Sequence, residues 1–245
     1  MNNEQIISQV CFFHTGNDTT LPNMMLQSLL LAYQDHPISP KVIQVSDKKT
    51  PRAEGITDLI CVKTTTTSKI MQERIEAYAK VATQINGPVA YIDTDMLFVG
   101  PIRVPIHPGK WPVLCRRSFY RDELPTTKIP TPSGPVEFPE HKDKTIDKLY
   151  PILGCFAVSD GPGLWNDCHQ RYSNLTENYK SWYGDQLVLA EVAREKNNIL
   201  VDEWTHACLP EMTSQVDRSQ VIAMHYKGSR KKNMSKHLSM LMNLS

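Results

Sequence analysis

The segment Val89-Ala90-Tyr91-Ile92-Asp93-Thr94-Asp95-Met96-Leu97-Phe98-Val99 limits the fold more than any other part of the chain. Two four-residue apolar runs flank a pair of carboxylates. Runs rich in β-branched and aromatic residues read as buried strand. A buried strand cannot carry two charges through its middle without a partner for them, so the carboxylates mark the place where the strand meets something other than core.

The segments before it alternate in kind. Gln9–Thr15 reads as a strand ending in the turn-like Gly16-Asn17-Asp18. Residues 21–36 read as a helix with Pro22 in its first turn and Met25, Leu26, Leu29, Leu30 and Tyr33 at helical spacing. Lys41–Asp47 and Asp58–Lys63 are further strands. Residues 67–85 form a helix with Ile70, Met71, Ile75, Tyr78 and Val81 on one side, closed by Gly87-Pro88. After residue 150 the pattern resumes with a strand over 150–160, a helix over about 162–172, a helix over 183–196, a strand within 197–209 and a last strand over 221–224. This order predicts an α/β fold with a mostly parallel central sheet. We expect a single domain over residues 1–245.

Residues 101–151 differ in texture, holding ten of the seventeen prolines and the polar run Glu137-Phe138-Pro139-Glu140-His141-Lys142-Asp143-Lys144. Regular structure there should be short, and a long irregular segment inside a compact domain is usually a binding loop. We treat about 103–149 as an insertion. The tail 233–245 carries Leu238, Leu241 and Met242 at helical spacing, as a helix packed back on the core would.

A net charge of +1 gives no argument for nucleic acid or an anionic membrane surface. No apolar run nears the roughly 20 residues that span a bilayer. The N-terminal residues lack the basic and apolar regions of a signal peptide. The six cysteines form no C-x-x-C pair and read as buried free thiols of a cytoplasmic protein.

Side chains alternate faces on a strand, so Asp93 and Asp95 point the same way. Two carboxylates at the end of a strand in a parallel sheet suit a hard cation, Mn²⁺ or Mg²⁺, of the kind shared with phosphate oxygens. A bare D-x-D is also what a strand end capping a neighbouring turn looks like. The later His225-Tyr226-Lys227-Gly228-Ser229-Arg230-Lys231 narrows the choice. His225 offers a nitrogen ligand, Gly228 lets backbone approach a phosphate, and Lys231 offers a cation to a diphosphate.

Tyr91-Ile92-Asp93-Thr94-Asp95, Tyr183-Gly184-Asp185-Gln186 and His225-Tyr226-Lys227-Gly228-Ser229-Arg230-Lys231, in this order, resemble the glycogenin-like glycosyltransferases (family 8) and related GT-A enzymes. The resemblance covers about residues 9–232, apart from 103–149. It implies a single Rossmann-like nucleotide-sugar-binding domain and retention of anomeric configuration. It implies Asp93, Asp95 and His225 as ligands of Mn²⁺ or Mg²⁺, and Gly228 and Lys231 on the diphosphate. It places His14, Thr15 and Asn17 at the base and ribose, adds Thr94 and Gly154 to donor binding, and sets Arg74, Asp185 and Gln186 at the transferred sugar. Asp185 also reads as a helix N-cap. Where the family has a polar lead into its central strand, this chain has Ile152-Leu153 before Gly154.

The implied partners are a nucleotide-sugar donor, a UDP-sugar above all, and a glycan, lipid or protein acceptor, with no nucleic acid. Glu137, Glu140 and Asp160 are candidate bases. A nucleotidyltransferase of similar fold is disfavoured by the lack of Lys or Arg in His14–Asn23, and a haloacid dehalogenase-type phosphatase by the mid-chain position of the D-x-D. A sugar-nucleotide or glycan-binding module without catalysis is the non-enzyme alternative.

Overall fold

The computed structural model describes residues 4–63, 70–105, 111–118, 150–180, 183–196 and 198–243. Its centre is a seven-stranded sheet. The strands are β2 (Gln9–Phe13), β3 (Lys41–Ser46), β4 (Asp58–Cys61), β5 (Pro88–Ile92), β8 (Val113–Arg116), β9 (Ile152–Asp160) and β10 (Ile199–Asp202), in the spatial order β10-β8-β9-β5-β2-β3-β4. All neighbours pair in parallel except those of β9, which runs against β5 and β8. The predicted mostly parallel sheet is what forms.

Alternation along the inner strands divides the core into two layers. Val10 and Phe12 of β2, with Ala90 and Ile92 of β5, join Met25, Leu26 and Leu29 of helix α1 (Thr20–Ala32) on one face. Cys11 and Phe13, with Val89 and Tyr91, meet helices α2 (Ile70–Ala82), α3 (Gly163–Asn174) and α4 (Gly184–Glu195) on the other. Each fully buried large side chain in these layers contributes about 1.5–3 kcal/mol.

Helix α1 stops at Ala32, short of the expected residue 36. The N–H groups of Tyr33 and Gln34 turn to the carbonyls of Leu30 and Leu31, and Pro37 disfavours helix in the residue before it. Regular structure in the described part of the segment 103–149 is short, as expected, but it joins the sheets. Arg103–Pro105 (β7) pairs with Glu4–Ile6 (β1), and Val113–Arg116 is an inner strand of the central sheet, buried but for Arg116. The insertion is thus partly scaffold. Residues 106–110 and 119–149, with Glu137 and Glu140, lie outside the described residues, as does the expected helix start at 67–69.

After Ile92 the chain leaves the central sheet. Met96–Phe98 (β6) instead pairs antiparallel with Ala223–His225 (β11), aligning His225 with Met96. The tail forms a helix (α6, Met234–Met242) packed against α1 through Met234, Leu238, Leu97 and Leu21, as expected. No helix among the described residues is long and apolar enough to cross a membrane. The six cysteines are free, and all but Cys61 are buried.

Candidate active site

The parallel strands bring their carboxyl ends to one edge of the sheet, and β9 brings its amino end there. That edge holds His14 after β2, Asp93 after β5, Arg117 after β8 and Glu203 after β10, with Gly154 near the start of β9. Asp160, at the other end of β9 opposite Pro88, belongs to the far edge and is not brought to the site.

Asp93, Thr94 and Asp95 form the turn between β5 and β6, so their shared direction comes from the turn and not from strand alternation. The turn is fixed from both sides. The Asp93 N–H donates to the Cys155 carbonyl at 3.0 Å, and the Asp95 carbonyl accepts the Tyr226 N–H at 2.7 Å. The β6–β11 pairing sets His225 beside it. One ligand atom from each of Asp93, Asp95 and His225 falls within 4.8 Å of the others. His225 Nε2 is 3.3 Å from Asp95 Oδ1, and Lys231 Nζ is 3.0 Å from Asp95 Oδ2.

A second set of charges adjoins the first. Arg74 on α2 donates from Nη1 to Asp93 Oδ1 at 2.6 Å and from Nη2 to Asp185 Oδ2. Asp185 sits in the first turn of α4, but its side chain caps no helix N–H; the carboxylate is turned to Arg74 instead. The N-cap expectation fails because a buried guanidinium attracts the carboxylate more strongly than a neutral amide does. Gly154 makes this possible: a Cβ there would overlap Asp185 Oδ2 and lie 3.1 Å from Arg74 Nη2. Gln186 accepts from Arg117 Nη2 at 3.0 Å, and Arg117 Nε donates to the Tyr150 carbonyl.

The electrostatics follow from this packing. Burial pushes the Asp93 carboxyl up, against the pull of Arg74. Burial would also raise Asp95, but His225 and Lys231 outweigh it and hold that carboxyl well below the usual range. Burial would weaken the Arg74 guanidinium, and Asp93 and Asp185 more than reverse this. Gly228 has φ of +66°, with no atom of the described residues within 4 Å of where a Cβ would stand, so the turn after β11 needs glycine for its backbone.

His14, Thr15 and Asn17 lie at the end of β2, one strand over from the D-x-D. The His14 backbone N–H is bonded to the Val45 carbonyl, while its buried Nε2 has no hydrogen-bond partner among the described residues. Burial lowers its pKa. The sequence did not single out Arg117, Glu203 or Lys227. Glu203 is fully buried and accepts from Lys227 Nζ at 3.1 Å and from the Ser118 N–H at 3.2 Å. Reading Val113–Arg116 as a strand ending at the ligand edge would have flagged Arg117.

The donor set fits a hard divalent cation. Two carboxylates and an imidazole converge; among the described residues the buried His225 Nδ1 has no hydrogen-bond partner, and Asp95 Oδ1 has only the His225 ring beside it at 3.3 Å. Octahedral ligands at about 2.1 Å from such an ion stand about 3 to 4.2 Å apart, within the observed spread.

No known family model matches the chain, and no curated protein does. A solved structure with the same fold is that of a glycosyltransferase involved in the glycosylation of the major capsid of PBCV-1. The two align over 95% of this chain and 98% of that one, with a TM-score of 0.57 and 12% sequence identity. At that identity the likeness establishes the fold, an α/β glycosyltransferase fold of GT-A type.

Proposed function

We propose that this chain is a metal-dependent glycosyltransferase of glycogenin-like type. It moves a sugar from a nucleotide-sugar donor, a UDP-sugar, to an acceptor hydroxyl with retention of configuration. The observation that carries this reading is the convergence of Asp93, Asp95 and His225, with Lys231 against Asp95, at the carboxyl edge of a sheet with this fold.

Breaking the anomeric bond leaves negative charge on a nucleoside diphosphate. Mn²⁺ or Mg²⁺ held by Asp93, Asp95 and His225 would supply Lewis-acid stabilisation to that leaving group. Lys231 would add a cation, and Gly228 would set the turn that presents it. His14, Thr15 and Asn17 would hold the base and ribose, and Thr94 would sit between the two ligands. On the sugar side, Arg74 and Asp185 are locked together above Gly154, so a carboxylate and a guanidinium are already oriented before a sugar arrives. Gln186, held by Arg117, lies beside them. Oxocarbenium character on the sugar would be met by the Asp185 carboxylate.

The fold neighbour acts in glycosylation of a capsid, and the acceptor of this chain belongs to the same broad set of glycans, lipids or proteins. The free cysteines support a cytoplasmic site of action.

The test is calorimetric titration of UDP, and then GDP, with and without Mn²⁺, on the wild type and on Asp95→Ala. Mn²⁺-dependent UDP binding that is lost in Asp95→Ala is the expected result. A folded wild type that binds neither nucleotide with Mn²⁺ present overturns the reading.

A further inference from the structure

Asp95 stands between two claims. Its Oδ1 faces His225 Nε2 at 3.3 Å, and the residues Asp93, Asp95 and His225 form the candidate metal cluster. Its Oδ2 is ion-paired with Lys231 Nζ at 3.0 Å. The lysine assigned to the diphosphate is thus bonded to a carboxylate assigned to the metal. A divalent ion on Asp95 lowers the attraction of that carboxylate for Lys231 and repels the ammonium directly.

The backbone around Lys231 is held at both ends. Tyr226, buried, donates its N–H to the Asp95 carbonyl, and its hydroxyl meets His237 Nδ1 on α6 at 2.8 Å. Between these anchors run residues 227–236, including the 3₁₀ turn Gly228–Asn233. Two other cations of this stretch have acidic partners of their own, Lys227 with Glu203 and Arg230 with Glu211. The Lys231 side chain is 45% exposed and reaches Asp95 along a flexible four-carbon stem. It can swing while the loop stays still.

Resting on the nucleotide-sugar reading of this site, we infer that Lys231 exchanges partners: it neutralises Asp95 and competes with the metal there until a diphosphate draws its ammonium away. Metal and diphosphate then bind cooperatively. Each raises the affinity for the other by the same factor, as linkage requires. The nucleotide is taken up most strongly together with its metal, and free metal is held weakly.

The test compares wild type, Lys231→Met and Lys232→Met. Lys232→Met removes the same charge from an exposed neighbour. Mn²⁺ binding without nucleotide is followed by loss of the free-ion electron paramagnetic resonance signal, and UDP binding at saturating Mn²⁺ by calorimetry. Lys231→Met should lower the melting temperature by no more than the loss of one partly exposed ion pair does, and Lys232→Met should leave it unchanged. For Lys231→Met, Mn²⁺ alone should bind about three- to fivefold more tightly, the weight of a partly exposed ion pair. UDP at saturating Mn²⁺ should bind about ten- to a hundredfold more weakly, the weight of a charge-assisted hydrogen bond. The two effects have opposite signs, which neither a structural role nor a simple phosphate contact produces. Lys232→Met should move neither affinity more than about twofold, as an exposed charge with no ion-pair partner among the described residues. If wild type binds UDP with Mn²⁺ but Lys231→Met leaves Mn²⁺ affinity unchanged or lowers it, the exchange is overturned and the functional reading stands. If wild type binds no nucleotide with Mn²⁺, both fall.

Discussion

Gly154 faces the Asp185 carboxylate so closely that a methyl group on it would overlap Oδ2. The same methyl would lie 3.1 Å from Arg74 Nη2. Gly154→Ala must therefore push apart a packed ion pair. We expect it to cost about 1–3 kcal/mol, the usual penalty of overpacking. UDP binding in the presence of Mn²⁺ should weaken as well, because Arg74 also holds Asp93. Gly163→Ala is the comparison: no atom of the described residues lies within 4 Å of its Cβ position in the first turn of α3, so it should be neutral or stabilising. Urea denaturation of the two variants checks the contrast.

Arg74 lies between two acids, and its side chain is only 13% exposed. Arg74→Ala leaves Asp93 and Asp185 without their shared counter-charge. It should destabilise the protein by about 3–5 kcal/mol, as breaking a buried pair does. Asp185→Asn should cost less, since Arg74 keeps Asp93. If the two residues act as one unit, the double variant will be less damaged than the sum of the singles, with a coupling of about 0.5–3 kcal/mol. A double-mutant cycle by equilibrium unfolding measures this directly.

Much of this architecture was legible in the sequence because it rests on local pattern. Strands β2, β3, β5 and β9 are five or more residues long and rich in β-branched and aromatic side chains, and the long helices carry clear apolar spacing. The candidate metal cluster was legible because its members stand in short, recognisable motifs. What escaped depended on distant contacts. Asp185 reads locally as a cap, and the Arg74 that claims its carboxylate lies 111 residues earlier. Val113–Arg116 is four residues long in a proline-rich context, so only its sheet neighbours identify it as an inner strand. Arg117 and the Glu203–Lys227 pair became visible only once that strand and β10 were seen to end at the same edge.

The tail helix is scaffold by its packing. Leu238 is 5% exposed in a cluster with Leu97, Tyr226 and Met234. Leu238→Ala should cost about 2–4 kcal/mol, while Met240→Ala, on the exposed side, should stay within about 0.5 kcal/mol. A loss of similar size for both in urea denaturation would contradict the packing assigned to this helix.

His206 gives the fold a pH dependence apart from the candidate site. The ring is buried against Phe156, with Nε2 donating to the Arg103 carbonyl at 2.9 Å and Nδ1 2.7 Å from the Thr205 hydroxyl. Burial lowers its pKa from 6.5 to about 4; the Arg103 charge adds to the effect, while the hydrogen bond to the Arg103 carbonyl and the Asp202 charge oppose it. Between these values the unfolded chain binds a proton that the folded chain does not. Stability therefore falls as pH drops from about 6.5 to about 4, by roughly 3 kcal/mol in all. The acidic groups held below their ordinary values, such as Asp202, act in the same direction but at lower pH, as they protonate. His14, whose pKa burial also lowers, acts with the same sign in this range, so the His206 share is read from the difference between wild type and His206→Gln between pH 7 and 5. His206→Gln cannot gain the proton, so its urea midpoint should change less over that interval than that of the wild type. Equal pH slopes for the two proteins would show that the buried imidazole does not govern acid stability in this range.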